Sequence, residues 1–296
     1  MFACLGAIAA AHAEDGYIRG TLDWQGATRG YLLSVPPDSG TAPLPLVIAL
    51  HGAGGDGGSF AAETRLGAAA NARKMLVVFP DGTEAAPRRR LWNARFCCGA
   101  AITAGIDDIG FVGALIDHLA AERPVDRGRI YATGMSNGGM LVYELAATHP
   151  DWFAAIAPVA SAIGGTLRSG EGYLINAPGE PVPVMMLHGR KDSFVLFDGG
   201  ASPVLHFPNH WKTSVADALS FWAAADGCAP EPQASEPVPG TLRRVEYPGC
   251  QAGSEVVLWE IEQGDHEWPA VNFPSPAGPI SAAAEILRFF AAHSRE

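Results

Sequence analysis

The sequence predicts an α/β protein built on a mostly parallel central sheet with helices on both faces. Three observations predict it. Short apolar runs recur without polar alternation, as in Leu46-Val47-Ile48-Ala49-Leu50 and Met75-Leu76-Val77-Val78-Phe79, the pattern of strands buried on both sides. Between such runs lie stretches with apolar residues at helical spacing, such as Phe111, Val112, Leu115, Ile116 and Leu119. The two kinds of segment alternate along the chain, which is the order of a layered sheet with crossover helices.

Taken in order, residues 21–35 read as an antiparallel lead-in, followed by a strand at 46–50. A helix is expected over 60–73, a strand over 75–79 and a helix over 108–122. The run Arg129-Ile130-Tyr131-Ala132-Thr133 is β-prone and feeds Gly134-Met135-Ser136-Asn137-Gly138, after which 140–148 forms a helix. Further strands are expected at 154–159, 184–187 and 256–261, and a last helix at about 280–292. Residues 161–183 and 193–212 follow strands and look irregular, the place where such sheets carry substrate-binding loops. No internal repeat or second domain is visible, so 14–296 is expected to be one domain.

With 48% hydrophobic and 17% charged residues among 296, the chain has ample material for a core. Its net charge of −11 argues against nucleic acid and anionic membranes as partners. The basic run Arg88-Arg89-Arg90 is read as a solvated loop. Residues 1–13 are short and apolar and end in Ala11-His12-Ala13, an A-x-A cleavage pattern without a basic start. They are read as a signal peptide, truncated or with its true initiator upstream, and the protein as secreted or periplasmic. No run approaches the roughly 18 apolar residues that span a bilayer.

Four cysteines follow that leader, and an even count in an exported chain points to disulfides. Of the three pairings, Cys228 with Cys250 is favoured, because they flank a Pro-rich excursion over 230–240 with little else to hold it. Closing that loop is worth about 3 kcal/mol on an entropic account. Cys97 and Cys98 are then left as a vicinal bridge or as buried thiols. C-x₂-C spacings and phosphate-cradle motifs are absent, and no metal and no cofactor are expected.

The G-x-S-x-G segment sits between a strand and a helix, the context in which it works as a nucleophile elbow. A serine hydroxyl needs a base to take its proton, and that base needs an orienting carboxylate. Asp192, in His188-Gly189-Arg190-Lys191-Asp192, lies just past the strand 184–187. His266 lies just past the strand 256–261. Ser136, Asp192 and His266 are therefore the candidate catalytic residues, with Asp198 as reserve acid. His51 and His188 open His-Gly turns and are read as loop supports, His118, His149 and His293 as helix residues, and His206 and His210 as possible substrate contacts. The oxyanion hole is expected from the N–H groups of Asn137 and Ala53, with Gly54 in reserve. Trp92, Phe194 and Trp268 head the aromatic candidates for substrate binding, along with Phe96, Phe197, Phe207 and Trp211.

These blocks resemble the secreted polyhydroxybutyrate-depolymerase-like and feruloyl-esterase-like family of α/β-hydrolases. The resemblance rests on Leu50-His51-Gly52, Phe79-Pro80-Asp81-Gly82-Thr83, Trp92-Asn93 with Cys97-Cys98-Gly99, and Asp107-Asp108-Ile109-Gly110-Phe111. It continues through Gly134-Met135-Ser136-Asn137-Gly138, His188-Gly189-Arg190-Lys191-Asp192 and Asp265-His266-Glu267-Trp268-Pro269, covering about 30–290. It implies an α/β-hydrolase fold without a separate lid domain, a Ser136–Asp192–His266 triad, ester hydrolysis and a late cysteine pair. The sequence departs from the family where Asp265 and Glu267 flank the imidazole, which bears on the pH optimum. The expected substrates are small or oligomeric feruloyl or aryl, acetyl or short hydroxyalkanoate esters. A peptidase or acyltransferase using the same triad, and a non-catalytic ligand-binding homologue, are the alternatives. The oligomeric state is left open.

Overall fold

A computed structural model describes residues 13–14, 16–86, 89–167, 169–204, 211–270 and 280–295. The expected leader, apart from Ala13, and His206, Phe207 and His210 lie outside the described residues. Eleven strands form the main sheet: β1 (Ala13–Glu14), β2 (Tyr17–Trp24), β3 (Ala27–Ser34), β4 (Leu44–Leu50), β5 (Leu76–Pro80), β6 (Val125–Met135), β7 (Ala155–Val159), β8 (Val184–Gly189), β9 (Gln233–Val238), β10 (Leu242–Tyr247) and β11 (Val256–Ile261). Their spatial order is β1-β2-β3-β5-β4-β6-β7-β8-β11-β10-β9. The six strands from β5 to β11 in that order run parallel. Antiparallel strands extend both edges.

The helices are α1 (Gly57–Thr64), α2 (Leu66–Asn71), α3 (Gly99–Thr103), α4 (Asp108–Glu122), α5 (Asn137–Thr148), α6 (Val215–Ala225) and α7 (Ala282–Ala291). Successive strand residues point to opposite faces, and the core divides accordingly. Leu46, Ile48, Leu50, Val78, Ala132 and Met186 face one cluster with α4, α5 and α6. Val47, Ala49, Val77, Tyr131 and Leu187 face the other, with α1, α2 and α7. Both faces are covered, so strand residues of either parity must be apolar; this is why the runs carry no alternation. Each Val, Leu, Ile or Met among them contributes about 1.5–3 kcal/mol on burial.

Where the structure departs from the expected elements, the cause is local or long-range pairing. The helix expected over 60–73 is two helices, because Arg65 takes a left-handed conformation (φ 51°) that ends α1 and starts α2. Asp56 begins α1 with a capping box, accepting the Ser59 N–H at 2.7 Å. The segments 161–183 and 193–212 are not wholly irregular. They supply Gly164–Thr166, Gly172–Leu174, Gly200–Ala201 and Trp211–Lys212 to a four-stranded side sheet. Strands of two or three residues have no readable period. The polar excursion over 230–240 contains β9, paired with β10. Cys228 and Cys250 are bonded across its base, and Cys97 and Cys98 are bonded to each other.

From β4 the chain crosses to β5 on one side, and from β6 it crosses to β7 on the other. The carboxyl ends of the adjacent β4 and β6 are therefore a topological switch point, where the outgoing loops diverge and leave a crevice.

Candidate active site

Ser136 stands at that crevice, on the turn between β6 and α5. Its backbone has φ 55° and ψ −120°, a conformation that costs an L-residue about 1–3 kcal/mol. Its N–H donates to Val159 O at 2.9 Å and its carbonyl accepts the Met140 N–H at 2.8 Å, so strand and helix together hold it there. The flanking glycines are required by close approach. A Cβ on Gly134 would lie 2.7 Å from Gly138 C and 2.9 Å from Leu50 O, and one on Gly138 would collide with the carbonyls of Leu50 and His51. The hydroxyl is thus carried at the mouth of α5, whose first N–H groups favour negative charge.

The loop after β4 lies alongside. A Cβ at Gly52 would sit 3.7 Å from Ser136 Cβ, which places the candidate oxyanion loop against the serine. Gly54, the reserve donor, already gives its N–H to Arg90 O at 2.8 Å. Ala53 has no such acceptor among the described residues, and its N–H stays the better candidate beside that of Asn137. His51 braces this loop. Its Nδ1 lies 2.7 Å from Gly52 O, and its Nε2 accepts the Gly82 N–H at 2.9 Å. An acceptor at Nε2 and a carbonyl at Nδ1 require the neutral Nδ1–H tautomer. Burial pushes the pKa down to about 4.

Asn137 adds a role that the motif did not reveal. Its buried amide accepts the Trp92 N–H at 2.8 Å and donates to Trp92 O at 3.0 Å and Cys97 O at 3.2 Å. The residue after Ser136 is therefore clamped through its side chain to the segment carrying the vicinal cysteines. Trp92, expected as a substrate contact, is 0% exposed. Its indole N–H donates to His51 O at 2.9 Å and its ring packs 4.9 Å from the His51 ring, behind the candidate oxyanion loop. Trp268 is 4% exposed and packs edge-on against Phe60 at 5.3 Å. Neither indole presents a face to solvent, because each fills a core gap beneath the loop it belongs to. Phe194 does, at 41% exposed, with its ring 5.0 Å from the His266 ring.

Asp192 and His266, on the loops after β8 and β11, are brought together. His266 Nδ1 lies 2.8 Å from Asp192 Oδ2. The other oxygen, Oδ1, accepts the N–H groups of Phe194 and Val195, each at 2.8 Å. Burial alone would raise the carboxyl's pKa. Hydrogen bonds and charge from His188 and His266 outweigh it and hold the group well below the usual carboxylate range. Asp198, the reserve acid, is exposed. Asp265 ties the two loops: its Oδ1 accepts the N–H groups of Ser193 at 3.1 Å and His266 at 2.8 Å. The 264–268 loop also reaches α1, through Trp268 on Phe60 and through the charge of Glu63. α1 follows β4, on the far side of Ser136's strand, so this loop spans the strand ends between them. Arg90, in the run expected to be a solvated loop, pairs with Asp81 at 3.5 Å and lends its carbonyl to Gly54.

A parallel sheet covered on both faces, with a strained serine turn at its switch point and a carboxylate–imidazole pair on neighbouring strand ends, defines an α/β-hydrolase. A family model described as Esterase PHB depolymerase matches residues 29–210, more than half the chain, and the chain belongs to that family. It is a carboxylic ester hydrolase. NocK of Nocardia uniformis subsp. tsuyamanensis, whose name assigns it provisionally to the esterases, is 30% identical over 276 residues, covering 88% of this chain and 77% of that one. Feruloyl esterase B of Piromyces equi is 28% identical over 228 residues, covering 77% of this chain and only 40% of that longer one. The acetyl xylan esterase from Aspergillus awamori superposes with a TM-score of 0.59 over 89% of this chain and 94% of its own, at 14% identity, a likeness of fold.

Proposed function

We propose that the chain hydrolyses its esters through an acyl-enzyme on Ser136, with His266 as base and Asp192 as the orienting acid. The observation that carries this reading is the 2.8 Å bond from His266 Nδ1 to a buried carboxylate, on loops two and three strands away from Ser136's own. Such a bond places a proton on Nδ1 and leaves Nε2 free to accept one. In the first step the Ser136 oxygen attacks the ester carbonyl as His266 Nε2 takes its proton. The oxyanion of the tetrahedral adduct is met by the N–H groups of Asn137 and Ala53. The adduct collapses, His266 gives its proton to the departing alkoxide, and the alcohol leaves. Water, deprotonated by the same imidazole, then attacks the acyl carbon, and the acid leaves as Ser136 recovers its proton.

The exposed ring of Phe194 beside His266 supplies an apolar wall for an aryl or alkyl group. Feruloyl or aryl, acetyl and short hydroxyalkanoate esters are the proposed substrate classes, in line with the names of the relatives. The two cysteine pairs support a secreted or periplasmic setting. Residues 14–296 are proposed to act as one catalytic domain.

The test is Ser136→Ala assayed on a short p-nitrophenyl ester, with melting followed in parallel. A loss of about 10⁶ in kcat is expected with the Tm retained. Undiminished turnover, or folded wild-type protein that resists a serine-directed fluorophosphonate, would remove Ser136 as nucleophile. A kcat/KM series over feruloyl, acetyl and hydroxybutyryl esters ranks the substrate classes.

A further inference from the structure

One buried group beside the proposed triad takes no part in the steps above. His188, the penultimate residue of β8, is 3% exposed. Its Nε2 lies 2.8 Å from Val195 O and 3.3 Å from Asp192 Oδ2. A backbone carbonyl only accepts, so Nε2 must carry the hydrogen. The carboxylate oxygen is a second acceptor for that hydrogen. Oδ2 is also the oxygen that His266 uses. With Oδ1 already taken by two backbone N–H groups, donors meet Asp192 at both oxygens, and the carboxylate cannot turn without breaking at least one bond. The His188 ring is itself held edge-on by Phe197 at 5.9 Å.

We propose that His188 is a positioning residue whose Nε2–H shares Asp192 Oδ2 with His266, fixing the carboxylate's direction and tempering its pull on the catalytic imidazole. The inference rests on the roles proposed for Asp192 and His266. Its chemistry is that of a split acceptor. Negative charge drawn toward His188 is charge withdrawn from His266, and the imidazolium formed during acyl transfer is stabilised less than by a carboxylate with a single imidazole partner. The imidazolium then gives up its proton to the leaving alkoxide more readily.

Other charged groups nearby are few. Arg190 lies over the Phe197 ring at 4.4 Å. Glu260, the register neighbour of His188 on β11, is committed to Arg190 and Arg243. Asp265 and Glu63 lie on the His266 side.

The test compares His188→Gln with His188→Met, side chains of like length of which only glutamine keeps a donor near the Nε2 position. His188→Met is expected to lose on the order of tenfold in kcat, the rate equivalent of one hydrogen bond to a charged group. With the donor gone, Oδ2 holds the imidazolium of His266 more tightly, so the acid limb of kcat/KM against pH should rise by about half a unit. His188→Gln should keep kcat within about twofold and hold the limb in place. Equal kcat in the two variants, or an unmoved limb in His188→Met, overturns the proposal. If His188→Met does not fold, His188→Phe replaces it under the same criteria. Failure of the triad itself reads out separately, as turnover surviving Ser136→Ala.

Discussion

His51-Gly52 and His188-Gly189 are the same dipeptide at the same place, the carboxyl end of a parallel core strand, yet the two imidazoles do opposite things. His51 accepts at Nε2 from Gly82 and sets the loop that carries the Ala53 N–H. His188 donates at Nε2 to Val195 and Asp192. One braces the candidate oxyanion hole as a neutral acceptor, while the other braces the candidate acid as a donor. The difference teaches that a buried histidine's role follows from what its second neighbour offers. A carbonyl puts the hydrogen on whichever ring nitrogen faces it, Nδ1 in His51 and Nε2 in His188. The added N–H then finds an acceptor at the other nitrogen of His51, while the added carboxylate shares the hydrogen of His188.

Each side of this comparison can be broken in turn. The largest effect is expected from Asp192→Asn, whose amide would donate to His266 Nδ1 and impose the wrong tautomer. The kcat should fall by about 10⁴, with a Tm near that of the parent, as steady-state kinetics and melting will measure. On the other side, His51→Leu strands the Gly82 N–H and the Gly52 carbonyl, at about 1–3 kcal/mol each. Because the loop they hold carries the proposed oxyanion donor, kcat should drop by about 10² as well. A His51→Leu variant that is destabilised but fully active would show that the loop keeps its place without the brace.

A subtler difference appears in acid. The folded pKa of His51, about 4, lies below its unfolded value of 6.5. Between these values the unfolded chain takes up a proton that the folded one refuses, so stability falls as pH drops from 6.5 toward 4, by about 3 kcal/mol at most. His51→Gln keeps an acceptor for Gly82 without the titration. Denaturant unfolding at pH 7 and pH 4.5 should show a smaller acid loss than in the parent. The least effect on turnover is expected from replacing Cys228 and Cys250 together by Ser. Their bridge closes 22 residues at the sheet's edge, away from both histidine turns. Stability should fall by about 3 kcal/mol, with kcat at 25 °C unchanged.

The regions that could be read in advance are those where one physical rule dominates. Strands buried on both faces must be continuously apolar, which made β4, β5, β7, β8 and β11 visible. The serine turn was visible because Gly134 and Gly138 occupy positions where a Cβ meets backbone. The chain order of serine, acid and histidine placed Asp192 and His266 by strand ends alone. Trp92 and Trp268 misled because an indole in a loop beside a site carries the same pattern whether it faces substrate or fills the core. Only packing distinguishes them, and here His51 and Phe60 had already claimed their faces. The side sheet went unread because strands of two and three residues carry no readable period.

By itself, then, the order of residues determined the layered sheet, the strained turn at Ser136 and the strand-end loops that carry the candidate acid and base. These are consequences of local sterics and of solubility pattern, which act within a few residues. Tertiary structure alone decided which nitrogen of each buried histidine bears the proton, which aromatic ring stays open to solvent, and that Asn137 clamps the Trp92 segment. Those outcomes depend on single acceptors, donors and rings, several of them arriving from segments tens of residues away. A hydrogen bond is satisfied or lost over a fraction of an ångström, a scale that only the assembled fold sets.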